Sequence, residues 1–277
     1  MPRVSIIMAT YNCEDTVEQS ILSMINQTFK DWEFIICDDC STDKTVDILN
    51  MYKDRYPSRF IIIQNDDNSK LAFSLNRCLQ LAKGEYIARM DGDDESFPER
   101  LERQVTFLDE HPEYSVVGTA MIPFDENGDR SIMLATPEPQ RRDLVSGPCF
   151  FHATIMMRKE AYDIVDGYYV SKRTQRAQDY DMWFRFFAND LRGYNLQEGL
   201  YHVRENQEAM KRRTLRSRCY EVQTRLKGYK LLNYPWFLYY NAFKPVFIAL
   251  IPNGIMRKYH ASIMARRAKK ENNDGAI

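Results

Sequence analysis

The segment Met90-Asp91-Gly92-Asp93-Asp94 places three carboxylates within four residues. Side chains of an extended chain repeat every second residue, so Asp91 and Asp93 leave the backbone on the same side. Gly92 between them admits a sharp turn or the close approach of a ligand. Carboxylates this crowded repel one another unless a cation or donor hydroxyls lie among them. A hard divalent ion that keeps some waters and binds substrate phosphates meets that need. Taken alone, the same residues also suit a solvated acidic turn before the helix that Pro98 opens. A second pair, Asp38-Asp39, reads by itself as an Asx-type turn leading to a helix cap at Ser41. A carboxylate there that does not touch a metal suits a ribose hydroxyl or a base N–H.

Both clusters fall where a strand ends. Val4-Ser5-Ile6-Ile7-Met8-Ala9 is an apolar run closing in Thr10-Tyr11-Asn12, a turn with a candidate helix cap. Val17, Ile21, Met24, Ile25 and Thr28 then recur at helical spacing, behind Glu14 and Asp15 in the first turn. Trp32 to Cys37 predicts a second strand, followed by a helix carrying Val46, Leu49 and Tyr52. Phe60 to Ile63 is a third, and Leu71, Leu75, Cys78, Leu79 and Ala82 mark a helix that stops at Gly84. Tyr86-Ile87-Ala88 is a fourth strand, before a helix bearing Leu101, Val105 and Leu108. The alternation predicts an α/β fold, a mostly parallel sheet with helices on both faces. Ligands of such sheets bind beyond the carboxyl ends of the strands. Thr10-Tyr11-Asn12, Asp38-Asp39 and the 91–94 carboxylates are therefore expected on one rim.

From Tyr114 to about Tyr201 short strands (Val116-Val117, Thr154 to Met157) alternate with loops and a helix near 179–189. Beyond 205 the chain turns basic, and Leu215, Cys219, Val222, Leu226 and Tyr229 form an apolar stripe on a helix rich in Arg and Lys. The 277 residues, 44% hydrophobic and 28% charged, fit one large soluble domain with an extension. A net charge of −1 hides an acidic first half and a basic end, an asymmetry that suggests an anionic partner. The six cysteines lack a framework spacing, and Cys37-Asp-Asp-Cys40 has no second pair to complete a zinc site. Free thiols in a reducing cytosol are expected. The chain runs straight into an apolar strand with no basic leader, so a cytoplasmic location is expected.

Four stretches together carry a resemblance. Val-Ser-Ile-Ile-Met-Ala-Thr-Tyr-Asn at 4–12, Cys-Asp-Asp-Cys-Ser-Thr-Asp at 37–43, Gly-Glu-Tyr-Ile-Ala-Arg-Met-Asp-Gly-Asp-Asp at 84–94 and Gln-Asp-Tyr-Asp-Met-Trp-Phe-Arg at 178–185 resemble the ordered motifs of family 2 glycosyltransferases. Val116 to Thr119, His152 to Arg158 and Arg192 to Glu198 look like the members found in bacterial exopolysaccharide and capsule operons. The resemblance implies the GT-A fold, a UDP-sugar donor, a saccharide or lipid-linked acceptor, and Mg²⁺ or Mn²⁺. It implies that Asp39 bonds the nucleotide base, with Ala9 and Thr10 offering backbone contacts. Asp91 would hold the ribose or sugar side of the donor, and Asp93 the metal on the diphosphate. Asp179 matches the catalytic base of an inverting transfer, and Trp183 an aromatic beside the acceptor pocket. It also divides the chain into a catalytic domain over 1–205, with a nucleotide half to about 112 and an acceptor half to 205, and an extension over 206–277.

Inverting transfer needs one base for the acceptor proton and positive charge for the leaving diphosphate. Arg204 could assist the leaving group or be a surface charge, whereas His152 and His202 are expected to be packing residues. Asp181 competes with Asp179, but positions i and i+2 of a helix face different ways, and Asp179 is the one that matches the motif. Two departures stand out. Gln178 replaces the usual Glu before the base, and Cys40 replaces a usual Gly, so the turn is expected not to need φ > 0 there. Trp236 to Ile251 is aromatic and apolar but short of the roughly 20 residues that cross a bilayer. With Arg257 and Lys258 it is expected to lie on an anionic membrane surface, a helical cap or a contact with another protein being the alternatives. Nucleic acid is not expected as a partner, since no binding module accompanies the basic residues. The alternative function is a nucleotide-sugar-binding or interaction module without catalysis. A nucleotidyltransferase or dehydrogenase would want a glycine-rich loop after the first strand, and Thr10 to Glu14 has none.

Overall fold

The computed structural model describes residues 1–205 and 215–250. Val4–Thr10 forms β1, Trp32–Asp38 β2 and Phe60–Gln64 β3, joined by α1 (Val17–Ile25) and α2 (Thr45–Arg55). Then α3 (Leu71–Leu81) leads to β4 (Tyr86–Arg89), and a short β5 (Glu95–Ser96) precedes α4 (Arg100–Glu110). The second half supplies β6 (Val116–Asp125), β7 (Gly128–Asp129), β8 (Met156–Arg158), α5 (Lys159–Ile164), α6 (Gln178–Ala188) and β9 (Gly193–Arg204). Beyond it lie α7 (Leu215–Leu231), a 3-10 stretch over Trp236–Phe243, and α8 (Lys244–Leu250).

The strands form one sheet in the order β3-β2-β1-β4-β8-β6-β9-β5, with β7 paired to β6. β3, β2, β1 and β4 are mutually parallel; β8 runs against β4 and β6, and β6 is parallel to β9. The central strands are apolar on both sides because both faces are covered. Ile7, Ile35, Cys37 and Ile87 pack toward α3, α5 and α6, while Ile6, Met8, Phe34, Ile36 and Ala88 pack toward α1, α2 and α4. The chain winds from β1 outward to β3 and returns to place β4 on the other side of β1. In sheets wound this way, ligands bind where the winding reverses.

Three local expectations change. Ser41 does not cap α2, which starts at Thr45; Asp43 accepts the Thr45 N–H at 3.0 Å, and Ser41 is spent on Asp38. Asn12 does not cap α1 either, because it accepts the Thr42 N–H at 2.9 Å across to the next loop. On α7 the packed face is Val222, Thr224, Arg225, Gly228 and Tyr229, whereas Cys219 is exposed and Leu226 only half-buried. A polar and glycine face wins because α7 must fit closely against the bulky Phe184 of α6. The basic residues Lys211, Arg212 and Arg213, and Ile255, Met256, Arg257, Lys258, Tyr259, Ile263, Arg266 and Lys270, lie outside the described residues.

A Cβ at Gly228 would stand 2.2 Å from the Phe184 ring. Gly228→Ala is therefore expected to lower stability by about 1–3 kcal/mol through overpacking, read from the urea midpoint. An unchanged midpoint would mean that α7 does not rest on α6 in this way.

Candidate active site

Parallel pairing sets Thr10 opposite Asp38, and the Asp39 N–H continues the ladder to the Thr10 carbonyl at 2.8 Å. Asp38 is buried and builds the turn. It accepts Thr10 Oγ1 at 3.1 Å, Ser41 Oγ at 2.5 Å and the Ser41 N–H at 2.8 Å. Those bonds pull the backbone round so sharply that Cys40 takes φ +65°. The expectation that this position avoids φ > 0 was wrong: a cysteine occupies a conformation that glycine favours.

Asp39 is also buried. Its Oδ1 accepts Asn65 Nδ2 at 2.7 Å, the Ser69 N–H at 2.8 Å and Ser74 Oγ at 3.2 Å, and its Oδ2 accepts the Lys70 N–H at 2.8 Å. The carboxylate thus organises the start of α3. A carboxylate has about four acceptor positions, so Oδ2 keeps room for one more donor. Ala9 is half-buried and Thr10 buried at the end of β1.

The 91–94 turn is fastened from beneath. Thr16 Oγ1 donates to the Gly92 carbonyl at 2.9 Å and Ser20 Oγ to the Asp94 carbonyl at 2.6 Å, both from around the start of α1. A Cβ at Gly92 would sit 3.3 Å from the Thr10 and Cys13 side chains, so a larger residue would have to push them back by a few tenths of an ångström. Asp91 is ion-paired with Arg89, and its N–H donates to the Tyr201 hydroxyl at 3.1 Å. Arg204 closes the cluster from β9: its N–H donates to Asp94 at 2.8 Å and its Nε to the Asp93 carbonyl at 3.1 Å. Burial, then the charge of Asp91, pushes Asp93 up to about 6 although the side chain keeps an open edge. Burial, then Asp91 and Asp93, pushes Asp94 up to about 8.

Three arginines, Arg89, Arg100 and Arg204, lie within electrostatic reach of these carboxylates. Among the described residues no group of three or more His, Cys, Asp and Glu is arranged to hold an ion. The donor set therefore fits a divalent cation only where water and a substrate's phosphates complete the shell, the habit of Mg²⁺.

Asp179 lies half-buried in the first turn of α6, where the helix dipole favours an anion. Burial pushes its carboxyl up, opposed by the Tyr180 N–H and by the charge of Arg89. Asp181 is held between Arg173 at 2.7 Å and Arg185 at 3.0 Å, a structural clamp. Trp183 is fully enclosed, edge-on to His152 with centroids 5.5 Å apart and 4.5 Å from Phe150. It is a core residue packed between Phe150 and His152. His152 bonds the Tyr168 hydroxyl at 2.8 Å, and burial holds its ring neutral. His202 bonds Asp129 at 2.7 Å and stacks on Phe124. The structure thus gathers Thr10, Asp39, Asp91, Asp93 and Arg204 on one rim. The Tyr168 hydroxyl lies within electrostatic reach of both Asp91 and Asp179.

Sequence reasoning passed over Arg89, Tyr168, Tyr201 and Asn65. Arg89 had a signal, a charged residue inside an apolar strand. The two tyrosines and Asn65 had none, because their partners lie far away in the chain.

The family model described as "Glycosyl transferase family 2" matches residues 5–165. A Bacillus subtilis (strain 168) protein named "Putative glycosyltransferase EpsE" is 47% identical over 262 residues, 94% of this chain and 93% of that one. The Escherichia coli "UDP-Glc:alpha-D-GlcNAc-diphosphoundecaprenol beta-1,3-glucosyltransferase WfaP" is 31% identical, over 73% of this chain and 78% of its own. Among solved structures, S. aureus TarS 1-349 in complex with UDP-GlcNAc aligns with a TM-score of 0.68 at 21% identity, over 81% of this chain and 66% of that one. The mannosyltransferase PcManGT from Pyrobaculum calidifontis, in complex with GDP-Man and Mn2+, aligns with a TM-score of 0.65 at 17% identity, over 95% of this chain and 80% of its own. The fold is GT-A.

The left-handed turn residue can be tested directly. Cys40→Gly is expected to hold stability or raise it by up to about 1 kcal/mol, and Cys40→Val to lower it by about 1–2 kcal/mol, in urea unfolding. Equal midpoints for the two variants would remove the positive φ.

Proposed function

The chain belongs to glycosyl transferase family 2, and from that premise we propose that it moves a sugar, with inversion, from a UDP-sugar to a saccharide or lipid-linked saccharide. Its setting is polysaccharide biosynthesis. The observation that carries the reading is the crowding of Asp91, Asp93 and Asp94 at one strand end together with a separate, half-buried carboxylate at Asp179. The WfaP relative, named for a UDP-glucose donor and a diphosphoundecaprenol acceptor, supports the donor and the acceptor class.

In this reading the Oδ2 position left on Asp39 takes a base N–H, with the Ala9 and Thr10 backbone alongside. Asp91 receives ribose or sugar hydroxyls, and Arg89 fixes its rotamer. Asp93, with water and the diphosphate, would hold Mg²⁺ or Mn²⁺, which when bound neutralises charge on the leaving nucleoside diphosphate. Arg204 adds positive charge beside the same turn. Asp179 removes the proton of the acceptor hydroxyl as the new C–O bond forms and the bond to phosphate breaks. Its raised proton affinity makes it a stronger base than a solvated aspartate, but one that must be ionised to act. Activity therefore falls as pH drops through its pKa. Trp183 shapes the acceptor side from behind, through His152.

The C-terminal segment supports a peripheral membrane contact. Trp236 is 85% exposed, and Phe237, Tyr240, Phe243 and Phe247 are exposed with it. No helix among the described residues is long and apolar enough to cross a membrane.

With UDP-sugars and Mn²⁺, Asp179→Asn is expected to lose at least about a hundredfold in transfer while keeping donor-dependent thermal stabilisation. Asp93→Asn should lose the metal dependence of that stabilisation. Transfer by Asp179→Asn at the wild-type rate would leave the alternative of a binding module. Vesicles containing phosphatidylglycerol should sediment the full chain, and replacing Trp236 and Phe247 by Ser should release it; equal sedimentation would remove the membrane contact.

A further inference from the structure

Residues 169–177 lead directly into the turn of α6 that carries Asp179. Thr174, fully buried, folds this loop on itself. Its Oγ1 donates to the Tyr169 carbonyl at 2.6 Å and accepts the Ser171 N–H at 3.2 Å, and its carbonyl accepts the Ala177 N–H at 2.9 Å. The Ala177 carbonyl then accepts the Asp181 N–H at 3.0 Å as the helix begins. Asp179 lies between these two residues, so its placement is inherited from the loop before it.

Arg173 ties that loop to two helices at once. Its Nη1 meets Asp181 of α6 at 2.7 Å and donates to Thr224 Oγ1 of α7 at 3.2 Å, while its guanidinium lies 5.2 Å over the Tyr169 ring. Thr224 is only 1% exposed. Its own hydrogen can go to the Arg173 carbonyl at 3.4 Å or back along α7 to the Tyr220 carbonyl at 3.1 Å. A buried hydroxyl is costly unless it is hydrogen-bonded, and this one receives a cation from the loop in front of Asp179. The same helix holds a second segment. The Val145 carbonyl accepts the Tyr229 hydroxyl at 3.0 Å and Arg225 Nη1 at 3.4 Å, and the neighbouring Leu144 carbonyl accepts the Tyr180 hydroxyl of α6. α7 thus grips two segments that themselves bond α6.

We propose that Thr224 and Arg173 are positioning residues for the transfer: through them α7 holds the loop that sets Asp179 against the acceptor. The catalytic unit then runs past residue 205 to include α7, well beyond the residues 5–165 that match the family model. This rests on Asp179 being the base. It adds that the placement of the base is controlled from the C-terminal extension.

The test uses the full chain, with two readouts: hydrogen exchange of the 169–177 amides, and release of UDP from the UDP-sugar that the wild-type protein turns over with Mn²⁺. Thr224→Val removes the hydroxyl and little else. It should speed exchange in the loop and lower kcat by about threefold to tenfold, with the donor KM unchanged. Thr224→Ser should restore both. Arg173→Met should lower kcat further, by about tenfold or more. Asp181 keeps Arg185 at 3.0 Å in that variant, so no buried carboxylate is left unpaired. A role in stability alone would lower the Tm of Thr224→Val but leave its kcat at the wild-type value well below that temperature, and this result overturns the proposal. So does unchanged exchange in the loop. Should Thr224→Val fail to fold, Arg173→Met is read in its place by the same two measurements. Full transfer by Asp179→Asn would instead remove the base, while exchange still judges the hold of α7 on the loop.

Discussion

Parallel register among β2, β1 and β4 is the constraint on which the site depends. Thr10 stands opposite Asp38, and Ile7 opposite Arg89, so the residues that follow each strand must emerge at one level. Parallel pairing cannot slip by one residue without turning the core side chains of a doubly covered strand to the wrong face. The apolar alternation of Ile6, Ile7 and Met8 between the two cores thus fixes, indirectly, where Asp39 and Asp91 stand. Chemistry at the rim inherits its precision from packing beneath it.

The rim then gathers carboxylates of two kinds. Asp38 and Asp39 are satisfied by donors and serve as architecture. Asp91, Asp93 and Asp94 are different: Asp91 raises the proton affinity of Asp93 and both raise that of Asp94, with Arg89, Arg100 and Arg204 nearby. Crowded carboxylates of this kind repel one another, and positive charge entering the cluster relieves that repulsion.

Much of this was legible in the sequence, for a physical reason. Strand-end carboxylates, apolar periodicity and the order of elements are local patterns, and the parallel sheet follows from them. What escaped depends on distant partners. Cys40 adopts φ +65° because Asp38 gathers Ser41 and Thr10 around it, and no propensity of cysteine announces that. Ser41 and Asn12 looked like helix caps and instead tie two loops together. The stripe expected on α7 keeps Val222 and Tyr229 on the buried face, while Gly228 and Arg225 join it through contact with Phe184 and Tyr180 and Cys219 is left exposed. Trp183 matched a motif, but its depth within the core belongs to tertiary packing alone.

α6 shows how one short sequence divides two similar carboxylates. Asp179 and Asp181 are separated by two residues, and the helix turns them about 200° apart. Asp181 meets Arg173 and Arg185 and is fixed as an ion pair that ties the preceding loop to the helix. Among the described residues Asp179 makes no such ion pair, and the N–H groups of its own first helical turn favour its charge. Had the pairs been exchanged, the clamp that ties the preceding loop to α6 would be lost. Gln178 fits this division, because its neutral amide adds no second negative charge beside Asp179, where burial already resists ionisation.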